Sequence, residues 1–266
     1  MAQSDNSTQR RAGTQSLERG VTLLRLLAAH QRYGLTLTEA SMLSGLDIST
    51  TQRMLKALVR VRLAVRNADK RYGLGMLTFE LGLAATQRVA LIDELRPVLR
   101  NVAGLTGDTA YLVARSGDEA VCLAREEGHF PIRTLILEIG GRRPLGLGAG
   151  SLHLLAQFPE DEVEAVIQRN EPYYREYHQI DAQILREAVR EARRVGYGLT
   201  HARLTGGVSG VGIALPNFEG RPYAAISIAC ISSRLDTAHH EHAVSVMRAA
   251  VDSWHKTSGH VRDIAA

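Results

Sequence analysis

The sequence predicts an α+β protein in which an N-terminal winged helix-turn-helix is joined by a linker helix to a larger domain of helices and antiparallel strands. Three observations predict it. Thr36–Gly75 carries two short helical patterns that meet at Gly45, then a strand–turn–strand pattern. From Thr109 the hydrophobic period changes to that of strands, and helices then mix with strands without a strict strand–helix–strand repeat. Charge is also divided: residues 1–88 hold 13 Lys/Arg against 6 Asp/Glu, a balance of +7, whereas 89–266 hold 19 against 22, a balance of −3. The basic charge lies with the helix-turn-helix, where a polyanion would need it.

With 266 residues, 45% of them hydrophobic, the chain can bury two cores. It has no apolar run of about 18 residues, so no membrane span is expected. The polar start MAQSDNSTQRRAGTQ lacks the apolar stretch of a secretory signal, so residues 1–15 read as a disordered tail. Cys122 and Cys230 each lie in an apolar, strand-like run and read as reduced core residues of a cytoplasmic protein.

Ser16–His30 reads as the first helix, with Leu17, Val21, Leu24, Leu27 and Ala28 inward, and 31–34 as a loop. Thr38–Ser44 is the next, N-capped by Thr38, with Ala40 and Leu43 inward. The second helix of the pair opens at Asp47-Ile48-Ser49, where Ser49 and Gln52 have capping-box spacing. Leu55, Leu58 and Val59 form its buried stripe; Thr50, Gln52, Arg53, Lys56 and Arg60 fall largely on the other side. Ser49, Thr50, Thr51, Gln52 and Arg53 are therefore candidates for reading bases, since hydroxyl, amide and guanidinium groups match the major-groove edges. Leu63–Arg66 and Arg71–Leu74 flank a polar turn to make a wing, and Lys56, Arg66, Lys70 and Arg71 are candidates for phosphate contact. Any basic amphipathic helix pair shares part of this pattern; the wing and the charge division favour DNA.

Met76 to about Arg88 is a linker helix with Leu77, Leu81 and Ala84/Ala85 on one face, either packed on one domain or paired in a dimer. Ala90–Gly104 is amphipathic, with Pro97 expected to delay or kink it. Ala110–Arg115 and Ala120–Arg125 form a hairpin, Ile132–Ile139 reads as a third strand, and Gly140–Pro144 breaks it. A glycine-rich loop, Leu145–Gly150, enters a helix over Ser151–Phe158; Glu160–Gln168 and Ile180–Val195 are further helices. A strand starts at Gly196, a loop spans Gly206–Gly212, strands follow at Val211–Leu215 and Tyr223–Ile231 around a turn at Pro216–Pro222, and His239–His255 closes the chain as a helix.

Three features of this second part could carry chemistry. Backbone N–H groups of Gly146–Ser151 could cradle an anion, although the spacing is no dinucleotide fingerprint, and a tight turn explains it equally well. The small-residue loop Thr205–Gly212 could wall a pocket with the strand Ala224–Cys230, lined by Thr200, Ser209 and Ser227, or be a plain bulge and hairpin. His239, His240 and His242 invite a metal reading, but with Glu241 as the one nearby acid they read as solvent-exposed histidines. Ser209 lies in Gly-Val-Ser-Gly, short of a nucleophile elbow, and no phosphate loop occurs. No catalytic residue, cofactor or metal is therefore expected.

Ser16-Leu17-Glu18-Arg19-Gly20-Val21, the helix pair from Leu35 and the wing ending Tyr72-Gly73-Leu74-Gly75 resemble the DNA-binding domain of the IclR family of bacterial transcription regulators. Ile139–Leu145, the loop to Ser151, Arg194-x-Gly196-Tyr197 and Ala224–Ile228 resemble that family's GAF-like effector domain. The resemblance covers about residues 16–255. It implies a tail over 1–15, a winged helix-turn-helix over 16–75, a linker over 76–90, an effector-binding domain over 91–258 and a C-terminal tail over 259–266. It also implies a homodimer or homotetramer on a palindromic double-stranded DNA operator, and a small organic acid effector that favours one arrangement of the DNA-binding domains. By position, the family's effector contacts fall on Ala149, Gly150, Thr200, Val208, Gly210, Ile228 and Ala229. Some relatives carry an acid where Thr200 stands and a cysteine where Gly210 stands, which implies a less polar, roomier pocket here and a larger, aromatic acid. The alternative is a small-molecule sensor or enzyme module whose helix-turn-helix does not bind DNA.

Overall fold

The computed structural model describes residues 5–31, 33–84, 89–174, 180–201, 206–216 and 223–262, with side chains described from 14 to 257 except at 89–91. The chain divides into two compact units, Met1–Val89 and Ala90–Ala266.

The first unit contains α1 (Asp5–Ala29), α2 (Leu37–Ser44), α3 (Ile48–Arg60), the strands β1 (Ala64–Arg66) and β2 (Tyr72–Leu74), and α4 (Met76–Ala84). Leu23 and Leu27 of α1 pack with Leu35, Ala40, Leu55, Leu58, Ala64 and Tyr72 to form its core. Helix α1 starts at Asp5, so most of the segment expected to be a disordered tail continues the helix; no proline interrupts it, and Gln9-Arg10-Arg11-Ala12 are good helix formers. Its inward face also differs from the expected stripe. Leu17 and Val21 are exposed, and Leu23 replaces them at i, i+4 spacing with Leu27.

Both N-caps shift by two residues from those expected. Thr36, not Thr38, starts α2: its hydroxyl accepts from Glu39 N while Glu39 Oε2 accepts from Thr36 N. This reciprocal box holds the Glu39 carboxyl below its ordinary pKa. Leu43, expected inside, is exposed. Gly45 ends α2 in the left-handed conformation (φ 66°), which only glycine adopts without penalty. Asp47, not Ser49, caps α3, accepting from Thr50 N at 2.8 Å and from the Ser49 hydroxyl at 2.6 Å. From the N-cap position the Asp47 carboxylate reaches the amide of Thr50 three residues on, and the Ser49 hydroxyl is a second donor to it.

The wing pairs Ala64↔Leu74, Val65↔Gly73 and Arg66↔Tyr72. Asn67 closes its tip by accepting from Arg71 N. Helix α4 buries none of its residues, and Met76, Phe79, Leu81 and Leu83 are all exposed. Ala85 and the rest of the expected linker to 88 lie outside the described residues.

The second unit is a three-layer sandwich. Its six-stranded antiparallel sheet has the order β5-β4-β3-β8-β7-β6, built from β3 (Thr109–Ser116), β4 (Glu119–Glu126), β5 (Arg142–Pro144), β6 (Gly198–His201), β7 (Val208–Ala214) and β8 (Ala224–Ile231). Helices α5 (Val89–Thr106) and α9 (Thr237–Arg262) cover one face, where Leu95, Leu99, Met247 and Trp254 meet Leu112, Ile226 and Ile228. Helices α6 (Ala149–Ala156), α7 (Glu160–Tyr174) and α8 (Ala182–Val195) cover the other, where Leu152, Leu155, Val166 and Leu185 meet Tyr111, Val113, Ala225 and Ala229. Alternation along β3 and β8 sends successive side chains to opposite cores. Both cysteines are buried and free, with burial pushing each thiol up to about 12.

Several expected elements change. Helix α5 runs through Pro97 without interruption from Val89. Ile132–Ile139 is not a strand, because side chains rather than a neighbouring strand satisfy its backbone. Tyr111 Oη donates to Thr134 O and accepts from Ile136 N, and the Thr134 hydroxyl donates to Ala229 O. Arg142–Pro144, read as a break, is an edge strand, the position in a sheet that tolerates proline. The loop expected over Gly206–Gly212 is mostly β7, which starts at Val208. Glycines of β7 and β6 admit helix α6 at close range: a Cβ on Gly212 of β7 would lie 2.2 Å from Gly150 N, and one on Gly198 of β6 2.1 Å from Ala149 O. Gly196, expected to begin a strand, caps α8 in the left-handed conformation. Helices α7 and α9 outrun their expected ends; α9 reaches Arg262, so the tail expected from 259 begins as helix. Among the described residues, no helix is long and apolar enough to cross a membrane.

Candidate functional site

Helix α3 presents one polar stripe. Ser49, Gln52, Arg53, Lys56 and Arg60 are exposed and line a shallow groove together with Ala57. Their i, i+3, i+4, i+7 and i+11 spacing puts them on one side, while Thr51, Leu55 and Leu58 are buried on the other. This corrects Thr51 as a base reader: it is fully buried, and its hydroxyl donates back to Asp47 O. Thr50 is half-buried, and Ser49 is engaged with the capping Asp47, whose carboxyl is held well below the usual range, chiefly by the Ser49 hydroxyl. Arg60 is an exposed cation on the same stripe that the candidate set omitted.

At the wing, Arg66 and Lys70 are exposed, Arg66 with its guanidinium 5.5 Å from the Tyr72 ring centre and Lys70 at φ 61° in the tip. Arg71, expected to hold phosphate, is turned inward. Its Nη1 donates to Gly34 O at 2.9 Å and to Glu39 Oε2 at 3.0 Å, tying the wing to the start of α2. An arginine with fixed acceptors on two sides is a strut first.

In the second unit a cavity lies where the α6 N-terminus approaches β3, β7 and β8. Its volume is about 60 Å³. Ala149, Thr200, Val208, Gly210, Ile228 and Ala229 all line it, as do Ser209 and Ser227. Gly150 does not line it; its Cα lies behind, where an added Cβ would meet Ser227 and Val113 at 3.2–3.3 Å. Sequence reasoning did not place Tyr111, Ile136, Leu137 or Arg143 on this wall, and all four line it. The signal for Arg143 was present in Gly-Gly-Arg-Arg-Pro. On a strand the two arginines must face opposite ways. Arg142 pairs with Glu119 at 2.9 Å, and Arg143 lines the cavity.

The cavity is not roomy. A pocket that accepts benzene measures about 150 Å³. Ile136 and Leu137 occupy its walls, offsetting the space left by Thr200 and Gly210. Tyr111 is buried, which pushes its phenol up to about 12, so it acts here as a neutral strut. Behind the cavity, His153 of α6 accepts from Ala214 N at 2.8 Å through Nδ1. Burial, then the Arg248 charge, pushes its pKa down to about 4, so the ring is neutral and its proton sits on Nε2.

The histidine cluster departs from the exposed reading. His239 is half-buried, and its Nε2 lies 2.6 Å from Asp108 Oδ2; Asp108 also accepts from Arg234 Nε at 2.8 Å. Cys230 completes a group whose candidate ligand atoms all lie within 4.8 Å of one another. Asp108, 131 residues earlier in the chain, is the carboxylate that the local sequence around the histidines did not contain. His240 packs edge-on to Tyr197, and His242 is exposed and bonds Leu105 O.

Comparison with known proteins identifies both domains. The profile of the IclR helix-turn-helix domain matches residues 16–68, and that of the bacterial transcriptional regulator IclR C-terminal domain matches 83–255. The HTH-type transcriptional regulator KipR of Bacillus subtilis is 28% identical over 201 residues, covering 75% of this chain and 80% of KipR. The HTH-type transcriptional repressor AllR of Escherichia coli is 27% identical over 225 residues, 84% of this chain and 82% of AllR. Among solved structures, an IclR regulator from Silicibacter superposes with TM-score 0.75 at 21% identity, covering 91% and 95% of the two chains. An IclR homolog from Microbacterium hydrocarbonoxydans, complexed with 4-hydroxybenzoate, superposes with TM-score 0.68 at 22% identity, covering 91% and 99%.

Proposed function

The chain belongs to the IclR family of bacterial transcription regulators, and from that premise we propose that it binds a palindromic operator as a homodimer or homotetramer and changes its affinity on binding a small organic acid. The observation that carries the DNA reading is the single exposed stripe Gln52–Arg53–Lys56–Arg60, backed by a buried face. Gln52 and Arg53 read bases, with Ser49 and Thr50 beside them at the helix start. Lys56, Arg60, Arg66 and Lys70 hold phosphates. The exposed apolar side chains of α4 support self-association, since a contiguous apolar surface favours a covering partner.

The cavity of the second unit is the effector site in this reading, with Ala149, Thr200, Val208, Gly210, Ile228 and Ala229 as contacts and Gly150 as support. Its size suits a compact acid; an aromatic acid requires the Ile136–Leu137 wall to give way. The effector acts by linkage: if it binds one state of the protein better, it shifts operator affinity by the same factor. Control of catabolic genes in the cytoplasm follows as the setting for such a sensor. A fluorescence-anisotropy titration against the DNA flanking the gene, at two salt concentrations and against a scrambled duplex, tests the proposal. Selective, salt-sensitive binding that added acids modulate is expected. Binding that is salt-sensitive but unselective, or no binding with or without acids, overturns it in favour of the sensor or enzyme alternative.

A further inference from the structure

The cavity contains a charge without a counter-charge. Of the residues lining it, only Arg143 is charged, and none is acidic. Other half-buried arginines of this unit have carboxylates: Arg115 pairs with Glu162, Arg125 with Glu138, Arg142 with Glu119 and Arg234 with Asp108. Arg143 has no carboxylate partner among the described residues, and its guanidinium donates through Nη2 to Ile136 O. A guanidinium has several further N–H donors and cannot shed its proton. A cation drawn partly out of water with no counter-ion is unfavourable, and an anion entering the cavity relieves that cost.

Two further polar features face the same space. Ser227 is 8% exposed, lines the cavity, and its hydroxyl has no hydrogen-bond partner among the described residues. Helix α6 has Gly148 as its N-cap with no side-chain cap bond, and Gly148, Ala149 and Ser151 at this end line the cavity. The remaining wall is apolar, with Val113, Leu147, Val208 and Ile228.

We infer that Arg143 is the anion anchor of the effector cavity and that the effector is a compact monocarboxylate with an apolar body. The inference rests on the effector reading of the cavity and adds its chemistry. Arg143 takes the carboxylate, the Ser227 hydroxyl donates to or accepts from a second polar atom, the α6 N–H groups donate to it, and the apolar wall encloses the body. One cation sets the charge at one: a second carboxylate would enter a space with no cation to meet it. Because Arg143 also holds Ile136 O, the anchor fixes the wall segment as well as the ligand.

Calorimetry on the full chain tests this with isobutyrate, isobutyramide and succinate. Isobutyrate is expected to bind at least about tenfold more tightly than its isosteric amide or succinate, the factor typical of a hydrogen bond to a charged group. Arg143→Met should remove that preference by weakening isobutyrate alone, and Arg143→Lys should restore part of it. Equal binding of acid and amide by the wild-type protein, or an unchanged preference in Arg143→Met, overturns the anchor. The wild-type comparison decides the matter if Arg143→Met loses its fold by circular dichroism. Val208→Phe, which fills the cavity, separates the two levels. If it abolishes isobutyrate binding while Arg143→Met does not weaken it, the cavity is the site and the anchor is wrong. If it leaves binding unchanged, the cavity reading falls. No binding of any of the three probes overturns the ligand class inferred here.

Discussion

In the proposed reading the α3 stripe and the cavity of the second unit both present arginine to an anion, and they differ in what surrounds the charge. Arg53, Lys56 and Arg60 stand in water on an open groove, whereas Arg143 stands half-buried among apolar side chains. Exposed charges are screened within about 10 Å at ordinary salt, and enclosed ones much less. The first arrangement suits a long polyanion, whose affinity accumulates over many weak contacts. The second suits a single small anion whose fit is decided by one strong contact.

Salt should separate the two most widely. If a dimer neutralises about six phosphates, operator affinity should fall about a thousandfold between about 50 and 200 mM salt. Isobutyrate binding should change by no more than about threefold over the same range, since its counter-charge is partly enclosed. Comparable slopes in anisotropy and calorimetry would break the comparison.

Within the open surface, Arg53→Ala should cost about 1–3 kcal/mol on the preferred operator and relax preference at one base position. An equal loss on every operator variant would move Arg53 to the phosphate-binding set. Protonation distinguishes the two units further. His153 has a folded pKa of about 4 against 6.5 for the unfolded chain, so the unfolded state takes up more protons between those values. The stability present above pH 6.5 is therefore lost as pH falls towards 4. The second unit should lose about 2 kcal/mol between about pH 7 and about pH 5, and His153→Leu should remove that dependence. Urea denaturation at the two pH values measures it. Equal pH dependence in His153→Leu would show that another group carries it.

The smallest effects lie in the wing, where two adjacent cations do different work. Lys70→Ala should weaken all DNA severalfold and lower the salt slope by about one per protomer. Arg71→Ala should leave the slope nearly unchanged and cost about 0.5–1 kcal/mol of domain stability, as a half-exposed ion pair does. The reverse pattern would return Arg71 to the DNA surface.

The helix pair was legible because its information is local. Gly45 at the turn, the stripe from Gln52 to Arg60 and the wing around Asn67 all depend on residues within a few positions of one another. All seven expected effector contacts came from family resemblance; six of them line the cavity, and Gly150 falls just behind the wall. Two misreadings share one cause. Thr51 and Arg71 have the right chemistry for DNA, yet Asp47 O, Gly34 O and Glu39 claim them from elsewhere in the unit. The wall at Ile132–Ile139 was misread because its backbone groups at Thr134 and Ile136 are met by the side chains of Tyr111 and Arg143 rather than by a ladder, and no periodicity announces such a partner.

By itself the sequence determined that this chain pairs a basic helix-turn-helix with an acidic α+β domain, since hydrophobic period, turn glycines and charge are written in consecutive residues. Only the tertiary structure decided which cations are free to meet an anion. An arginine's role depends on which acceptors the fold brings within hydrogen-bond reach, and for Arg71, Arg143 and Arg234 those acceptors lie 32, 7 and 126 residues away.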